Sequence, residues 1–302
     1  MRDQFPEPAD REPALDLVRA LACVFVVVIH TSGAAVANRF TEASFHLANV
    51  LDSLARPAVP LFVILSGALL LRRPIDDWSG FYRKAILRLG IPLAAWTAIY
   101  VALRYLKMGG APFVEPVPEP LLAPLRDIVT GTPYYHLWYL YMIAGLYLLT
   151  PLIERGWRHC SRSERIAAFC TAMALGMAGA AYDFALGSRG WWGLDFMHYL
   201  GFFLFGGLIV QRAFPVRPAL AIAGYLTASA LTALTAAWLN PRLGLDYLYT
   251  YLSPTTVAAS LFLVAAVMNC QVPHRRWIGF VARHALGIYL VHPLVLELAY
   301  SS

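Results

Sequence analysis

The sequence predicts an all-α polytopic membrane protein with a cytoplasmic N-terminus, and three observations carry that expectation. Of 302 residues, 59% are hydrophobic and only 14% charged, and the mean hydropathy is +0.57, too apolar for a chain that folds in water. The apolar residues gather into about nine runs of span length. Basic residues alternate between dense and sparse loops, as in a chain threaded repeatedly through a bilayer. The net charge of +6 and pI near 9.2 therefore report topology rather than a nucleic-acid partner.

The first run, Leu15 to Val36, is too long for a secretory signal and lacks an A-x-A-like cleavage site, so it is expected to stay in the mature protein. Ser44 to Ala55 mixes apolar and polar residues at helical spacing and is expected to lie along the outer interface. Two runs follow, Ala58 to Leu71 and Ile86 to Tyr105. The outer loop Lys107 to Tyr135 contains APFVEPVPEP, whose closely spaced prolines forbid a regular helix. Its second half, Leu121 to Val129, suits a short interfacial helix. The run Leu137 to Ile153 opens with Tyr134, Tyr135, Trp138, Tyr139 and Tyr141, a cluster typical of a membrane interface. The remaining runs are Ile166 to Tyr182, Phe196 to Val210, Ala219 to Leu239, Thr255 to Met268 and Leu286 to Leu298. Several are nearer fifteen residues than twenty.

With the N-terminus inside, sixteen Lys and Arg fall on the cytoplasmic side and seven outside, Arg19 being set apart. Nine spans would then end the chain outside, directly after LVHPLVLELAYSS. No repeat, low-complexity tract or charge block divides the sequence, so one membrane domain, residues 1–302, accounts for it. Cys23, Cys160, Cys170 and Cys270 fall within spans or on the cytoplasmic side, where thiols stay reduced. No disulfide is expected, and there is no C-x-x-C or His/Cys spacing for a metal.

The chemistry concentrates in the first run, PALDLVRALACVFVVVIH. Arg19 and His30 are separated by ten uncharged residues, and eleven helical steps bring both onto one face, roughly 16 Å apart along the axis. Asp16 and Cys23 share that stripe. Ionisable groups buried in a bilayer are costly and usually functional. One reading makes Arg19 an anion-binding group at the cytoplasmic mouth and His30 a general base, since a neutral imidazole accepts an alcohol proton near physiological pH. The other pairs Asp16 with Arg19 at the interface and lets His30 hydrogen-bond a neighbouring helix. Asp16 lies too far along the helix to orient the His30 ring, so any orienting group must come from another helix. Cys23 is either a small hydrophobe or an acyl-accepting nucleophile.

Further along, Arg56 either snorkels to the interface or contacts an acceptor, and Ser66 and Gly67 are packing residues. Arg72, Arg73, Arg83, Lys84 and Arg88 form the densest basic segment. Positive-inside bias explains most of them, while a polyphosphorylated donor such as an acyl-CoA would find its phosphate ligands there. His136 and Trp138 serve either an aromatic belt or a stacked sugar ring. His292, beside Pro293, is either a packing donor at a kink or a second site residue.

Four stretches, R-x10-H within DLVRALA…H, SLARPAVPLFVILSG, HLWYLYMIAGLYLLTPLI and ARHALGIYLVHPLVLEL, resemble the acyltransferase 3 family of integral membrane acyltransferases. The resemblance is nearest to its surface-polysaccharide O-acetyltransferases of the enterobacterial common antigen type. It implies about ten helices in a bacterial inner (plasma) membrane, acetyl-CoA or another acyl-CoA as cytosolic donor, no metal, and an acceptor that is a surface glycan or lipid-linked oligosaccharide. By motif position His30 is the catalytic residue and Arg19 the other essential member. Family members continue past the segment matching GIYLVHPLVLEL into a further helix, so a final helix is expected to be missing here.

Two rivals from other classes are a transporter or flippase and a non-catalytic partner in polysaccharide export. A transporter should show inverted repeats or matched broken helices, and the sequence has no such symmetry. Acceptor selectivity is expected in the outer loops, especially Lys107 to Tyr135.

Overall fold

The computed structural model describes residues 12–38, 41–105, 123–187, 194–211, 214–238 and 246–301, and among them every regular element is helical. In chain order these are α1 (Pro13–Asn38), α2 (Glu42–Ala55), α3 (Ala58–Leu70), α4 (Trp78–Ala85), a π turn (Ile86–Gly90), α5 (Ile91–Tyr105), α6 (Ala123–Val129), α7 (Trp138–His159), α8 (Arg162–Leu186), α9 (Asp195–His198), α10 (Leu200–Ile209), α11 (Pro218–Trp238), a 3₁₀ turn (Asp246–Tyr249), α12 (Pro254–Asn269), α13 (Arg276–Arg283) and α14 (Ala285–Ser301). The chain is an all-α polytopic membrane protein.

Local sequence sets many of the helix starts. Thr41 and Ser44 form a capping box for α2, and Ser161 with Glu164 forms another for α8. Asp77 accepts from the Gly80 amide at the start of α4, and Ser253 caps α12 with Pro254 in its first turn. Each supplies an acceptor to amides that have no partner inside the helix. Helix α8 ends where Gly187 takes a left-handed φ of 61°, a conformation glycine adopts without strain.

Every predicted run coincides with a helix, but their standing as spans differs. Pro13–Val36, Glu42–Leu70, Trp78–Arg104, Arg162–Leu186, Pro218–Trp238 and Tyr247–Asn269 are long and apolar enough to cross a membrane, and α13 with α14 passes the same test as a pair bent by 74°, the form of a broken span or a re-entrant loop. Two of the nine expected runs fall outside that set of long apolar helices. Helix α7 has 22 residues but carries Glu154, Arg155, Arg158 and His159 in its last turns, and α10 has only 10 residues. Ser44 to Ala55 belongs to α2, which together with α3 makes a 29-residue stretch long and apolar enough to cross a membrane and buries Phe45, Ala48, Asn49, Asp52, Ser53 and Ala55. Helix α6 stands where a short helix was expected over Leu121 to Val129, while residues 106–122, including APFVEPVPEP, lie outside the described residues.

By packing, the chain divides into two compact units, Met1–Ala68 with Phe205–Tyr289 and Leu69–Leu204 with Leu290–Ser302. In the first, α1 packs against α2 and α13, and α11 lies along α12 and α2. Leu15, Leu65 and Ala68 are buried with Val210 and Met268 against them. Polar side chains stitch these helices: Asn49 Nδ2 donates to the Ala233 carbonyl at 2.8 Å, Tyr225 to the Leu54 carbonyl at 2.8 Å, and Thr232 to Thr255 Oγ1 at 2.8 Å. Between membrane helices such bonds and small-residue contacts replace the hydrophobic drive that lipid removes.

In the second unit, α7 packs against α4, the π turn and α9, α8 against α9, and α5 against α6. The Tyr82 hydroxyl donates to the Leu148 carbonyl at 2.8 Å. Arg104 at the end of α5 reaches buried Asp127 on α6 at 2.7 Å. A Cβ on Gly176 would lie 2.2 Å from the His198 carbonyl oxygen, so α8 meets that backbone at a distance only glycine permits.

Candidate functional site

Helix α1 runs unbroken from Pro13 to Asn38, so the stripe Asp16, Arg19, Cys23 and His30 exists as a continuous helical face. Arg19 Nη1 lies 3.8 Å from Asp16 Oδ1, at the outer limit of an ion pair, and both side chains retain solvent access. Cys23 is buried, and His30 is half-buried. An imidazole in that setting can accept a proton without carrying a permanent charge into the apolar layer.

Two residues beyond His30, Ser32 begins a polar chain that the sequence did not announce. Its hydroxyl donates to the Val28 carbonyl at 2.7 Å and approaches Asp52 Oδ1 of α2 at 3.4 Å. Asp52 is fully buried. Arg56 answers it through Nε at 2.7 Å and through a second contact from Nη2 to the same Oδ2, while Nη1 donates to the Tyr249 carbonyl at 2.9 Å. The guanidinium also sits 4.6 Å from the Tyr249 ring centre, and the Tyr249 hydroxyl donates to Asn49 Oδ1. Arg56 is therefore an organising member of the first unit's polar interior rather than a snorkelling surface residue. The missed residue is Asp52, although a carboxylate four positions before an arginine is a readable helical pair. Ser32 lies roughly 200° around the helix from His30, so through Ser32 Asp52 meets α1 on a different face from the histidine.

The five basic residues of the predicted donor segment all belong to the second unit. Arg72 and Arg73 occupy the bend after α3, Arg83 and Lys84 the last turn of α4, and Arg88 the π turn, all exposed. Between the bend and α4, the chain is fastened to α7. Glu154 Oε2 accepts from the Ile75 amide at 3.1 Å, Glu154 Oε1 lies 3.4 Å from Arg158 Nε, and Arg158 Nη1 reaches Asp76 Oδ1 at 3.0 Å. Neither Glu154 nor Arg158 was singled out in the sequence. Next along, Asp77 accepts from the Gly80 amide at 2.9 Å and the Ser79 hydroxyl at 3.0 Å, and these bonds hold its carboxyl below the usual carboxylate range.

His136 and His292, read separately in the sequence, come together in the second unit. Both are buried, at 2% and 6% exposure, with ring centres 5.5 Å apart in an edge-to-face arrangement. Tyr100 stands edge-on to His136 at 4.8 Å and stacks on Tyr134 at 4.4 Å. Its hydroxyl donates to the Leu290 carbonyl at 2.6 Å, one residue past the carbonyl that Pro293 deprives of a helical donor. Trp138 instead turns its ring towards Tyr199, at 6.0 Å.

Compared with known proteins, the chain matches the family model described as an acyltransferase domain over residues 12–301. No curated protein and no solved structure gives a match.

Proposed function

Because this chain belongs to the acyltransferase 3 family of membrane acyltransferases, we propose that it moves an acetyl or other acyl group from a cytosolic acyl-CoA to a hydroxyl of a cell-surface glycan or its lipid-linked precursor. Its setting would be the bacterial inner membrane, and residues 1–302 would act as one acyltransferase domain. The family match over 12–301 is the observation that carries the reaction class.

The residue roles follow from chemistry. His30 takes the proton of the acceptor hydroxyl as the oxygen attacks the thioester carbonyl, a carbon–oxygen bond forms, the carbon–sulfur bond breaks, and the CoA thiolate leaves to be protonated. Arg19, whose contact with Asp16 is long at 3.8 Å, keeps donor capacity for an anionic group of the donor. Arg72, Arg73, Arg83, Lys84 and Arg88 hold the donor's phosphates, for which their exposure suits them. Arg56, His136, Trp138 and His292 serve the acceptor. For Arg56 that service is indirect, through the polar interior it organises with Asp52.

The test is transfer of radiolabelled acetyl groups from acetyl-CoA into the glycan fraction of membranes carrying the wild-type chain or His30→Ala at matched expression. Incorporation by wild type and its loss in the variant is the expected result. Equal incorporation by both rejects His30 as the base, and no incorporation by either rejects the acetyl-to-glycan reading.

A further inference from the structure

We propose that Glu154 is a positioning residue for the acyl-CoA donor, fixing the spacing of the basic residues on either side of it; this rests on the reading that the 72–88 segment binds the donor. A polyphosphorylated ligand is recognised by several cations at set separations, and exposed Lys and Arg have large rotamer freedom to lose when they bind. The backbone that carries them must therefore be fixed beforehand if binding is to be tight. In this segment Arg72–Arg73 and Arg83–Lys84 are joined by a connection of residues 74–77 and by α4.

The connection has one buried anchor. Glu154 is 2% exposed, and its two oxygens are spent on different partners, Oε2 on the Ile75 amide at 3.1 Å and Oε1 facing Arg158 Nε at 3.4 Å. Arg158 continues the chain to Asp76 at 3.0 Å. One carboxylate on α7 thus holds residue 75 directly and residue 76 through an arginine, and residue 77 then caps the helix that presents Arg83 and Lys84. A buried charge tied to a loop amide is costly unless its partners are kept.

Glutamine at this position has the same shape, yet it cannot reproduce the arrangement. Its one oxygen can accept from Ile75 or face Arg158, and its amide group then presents N–H to the N–H of the other partner. Glu154→Asp keeps the charge but is shorter by a methylene and holds one partner at most.

The experiment uses the full chain in lipid nanodiscs, with acetyl-CoA and 3′-dephospho-acetyl-CoA as donors. Glu154→Gln is expected to raise KM for acetyl-CoA about tenfold, the equivalent of one charge-assisted contact, with kcat and the acceptor KM unchanged. The wild-type preference for the 3′-phosphorylated donor should shrink in parallel. Glu154→Asp should fall between the two. Asp76→Asn, at an exposed position, removes the outer link without touching the buried carboxylate and should shift KM in the same direction if Glu154→Gln does not fold. A fall in kcat at constant KM, or an equal loss with both donors, overturns the proposal. Arg83→Gln/Lys84→Gln separates it from the reading beneath: unchanged KM there removes the donor segment itself, whereas a raised KM there with normal KM in Glu154→Gln and Asp76→Asn removes only Glu154.

Discussion

Arg56 shows how one residue's meaning depends on a partner. Asp52 is buried completely, and its charge is met by Arg56 and approached by Ser32. Removing one member of a buried pair strands the other, at a cost of about 3–5 kcal/mol. Arg56→Ala should therefore lower the melting temperature of the purified protein sharply, and Arg56→Ala/Asp52→Ala should recover part of the loss. If the double variant melts below the single one, the pair is not what Arg56 supports. A smaller effect is expected at Tyr100, whose hydroxyl donates to the Leu290 carbonyl at 2.6 Å. Tyr100→Phe removes that bond while the carbonyl keeps its helical donor, and should cost about 0.5–1.5 kcal/mol in chemical denaturation. The Asp52–Arg56 spacing was legible in the sequence, but the burial of Asp52 was not. It arises because α2 packs against α1 and α11, whereas amphipathic spacing alone suggested a helix lying flat on the interface. The meeting of His136 with His292, separated by about half the chain, was equally beyond any local pattern.

Helices are where the sequence was most readable, because long apolar runs leave the backbone no alternative that satisfies its own hydrogen bonds in lipid. Contacts between helices turn on single atoms. A Cβ at Gly206 would sit 2.0 Å from the Ile64 carbonyl oxygen and 2.5 Å from the Ala68 nitrogen, both backbone atoms that cannot move aside alone. Gly206→Ala should destabilise by about 1–3 kcal/mol. At Gly33 in α1 nothing lies within 4 Å of the added carbon, so Gly33→Ala should be neutral or stabilise by up to about 1 kcal/mol through helix propensity. Thermal melts of the two variants check the contrast, and similar shifts at both positions would contradict the packing at Gly206. Helix α4 adds a pH dependence. Asp77 is held below its ordinary 3.8 by its bonds to Gly80 and Ser79. A depressed folded value means that its support for the helix start is complete above the ordinary value and fades as pH falls through the lower folded one. Acid unfolding of Asp77→Ala should accordingly lose its difference from wild type below that window.

Across the molecule, composition and loop charge were enough to establish a multi-pass helical protein, while the number of crossings depends on helices of mixed character. Helix α7 is the decisive case. At 22 residues it is roughly 33 Å long by its rise per residue, about the thickness of the hydrocarbon layer, yet its last turns hold Glu154, Arg155, Arg158 and His159. If α7 crosses with those turns at the cytoplasmic surface, then exposed Thr132 before it and exposed Ser163 after it stand on opposite sides. Cysteines 23, 160, 170 and 270 are free thiols, so they are first replaced by serine or alanine and each position then carries a single new cysteine. An impermeant maleimide should label Thr132→Cys in intact spheroplasts and Ser163→Cys only after permeabilisation. Labelling of both from outside would show that α7 does not span. The reverse order would put the Glu154-anchored basic segment on the wrong side for a cytosolic acyl-CoA and remove both the donor assignment and the direction of transfer.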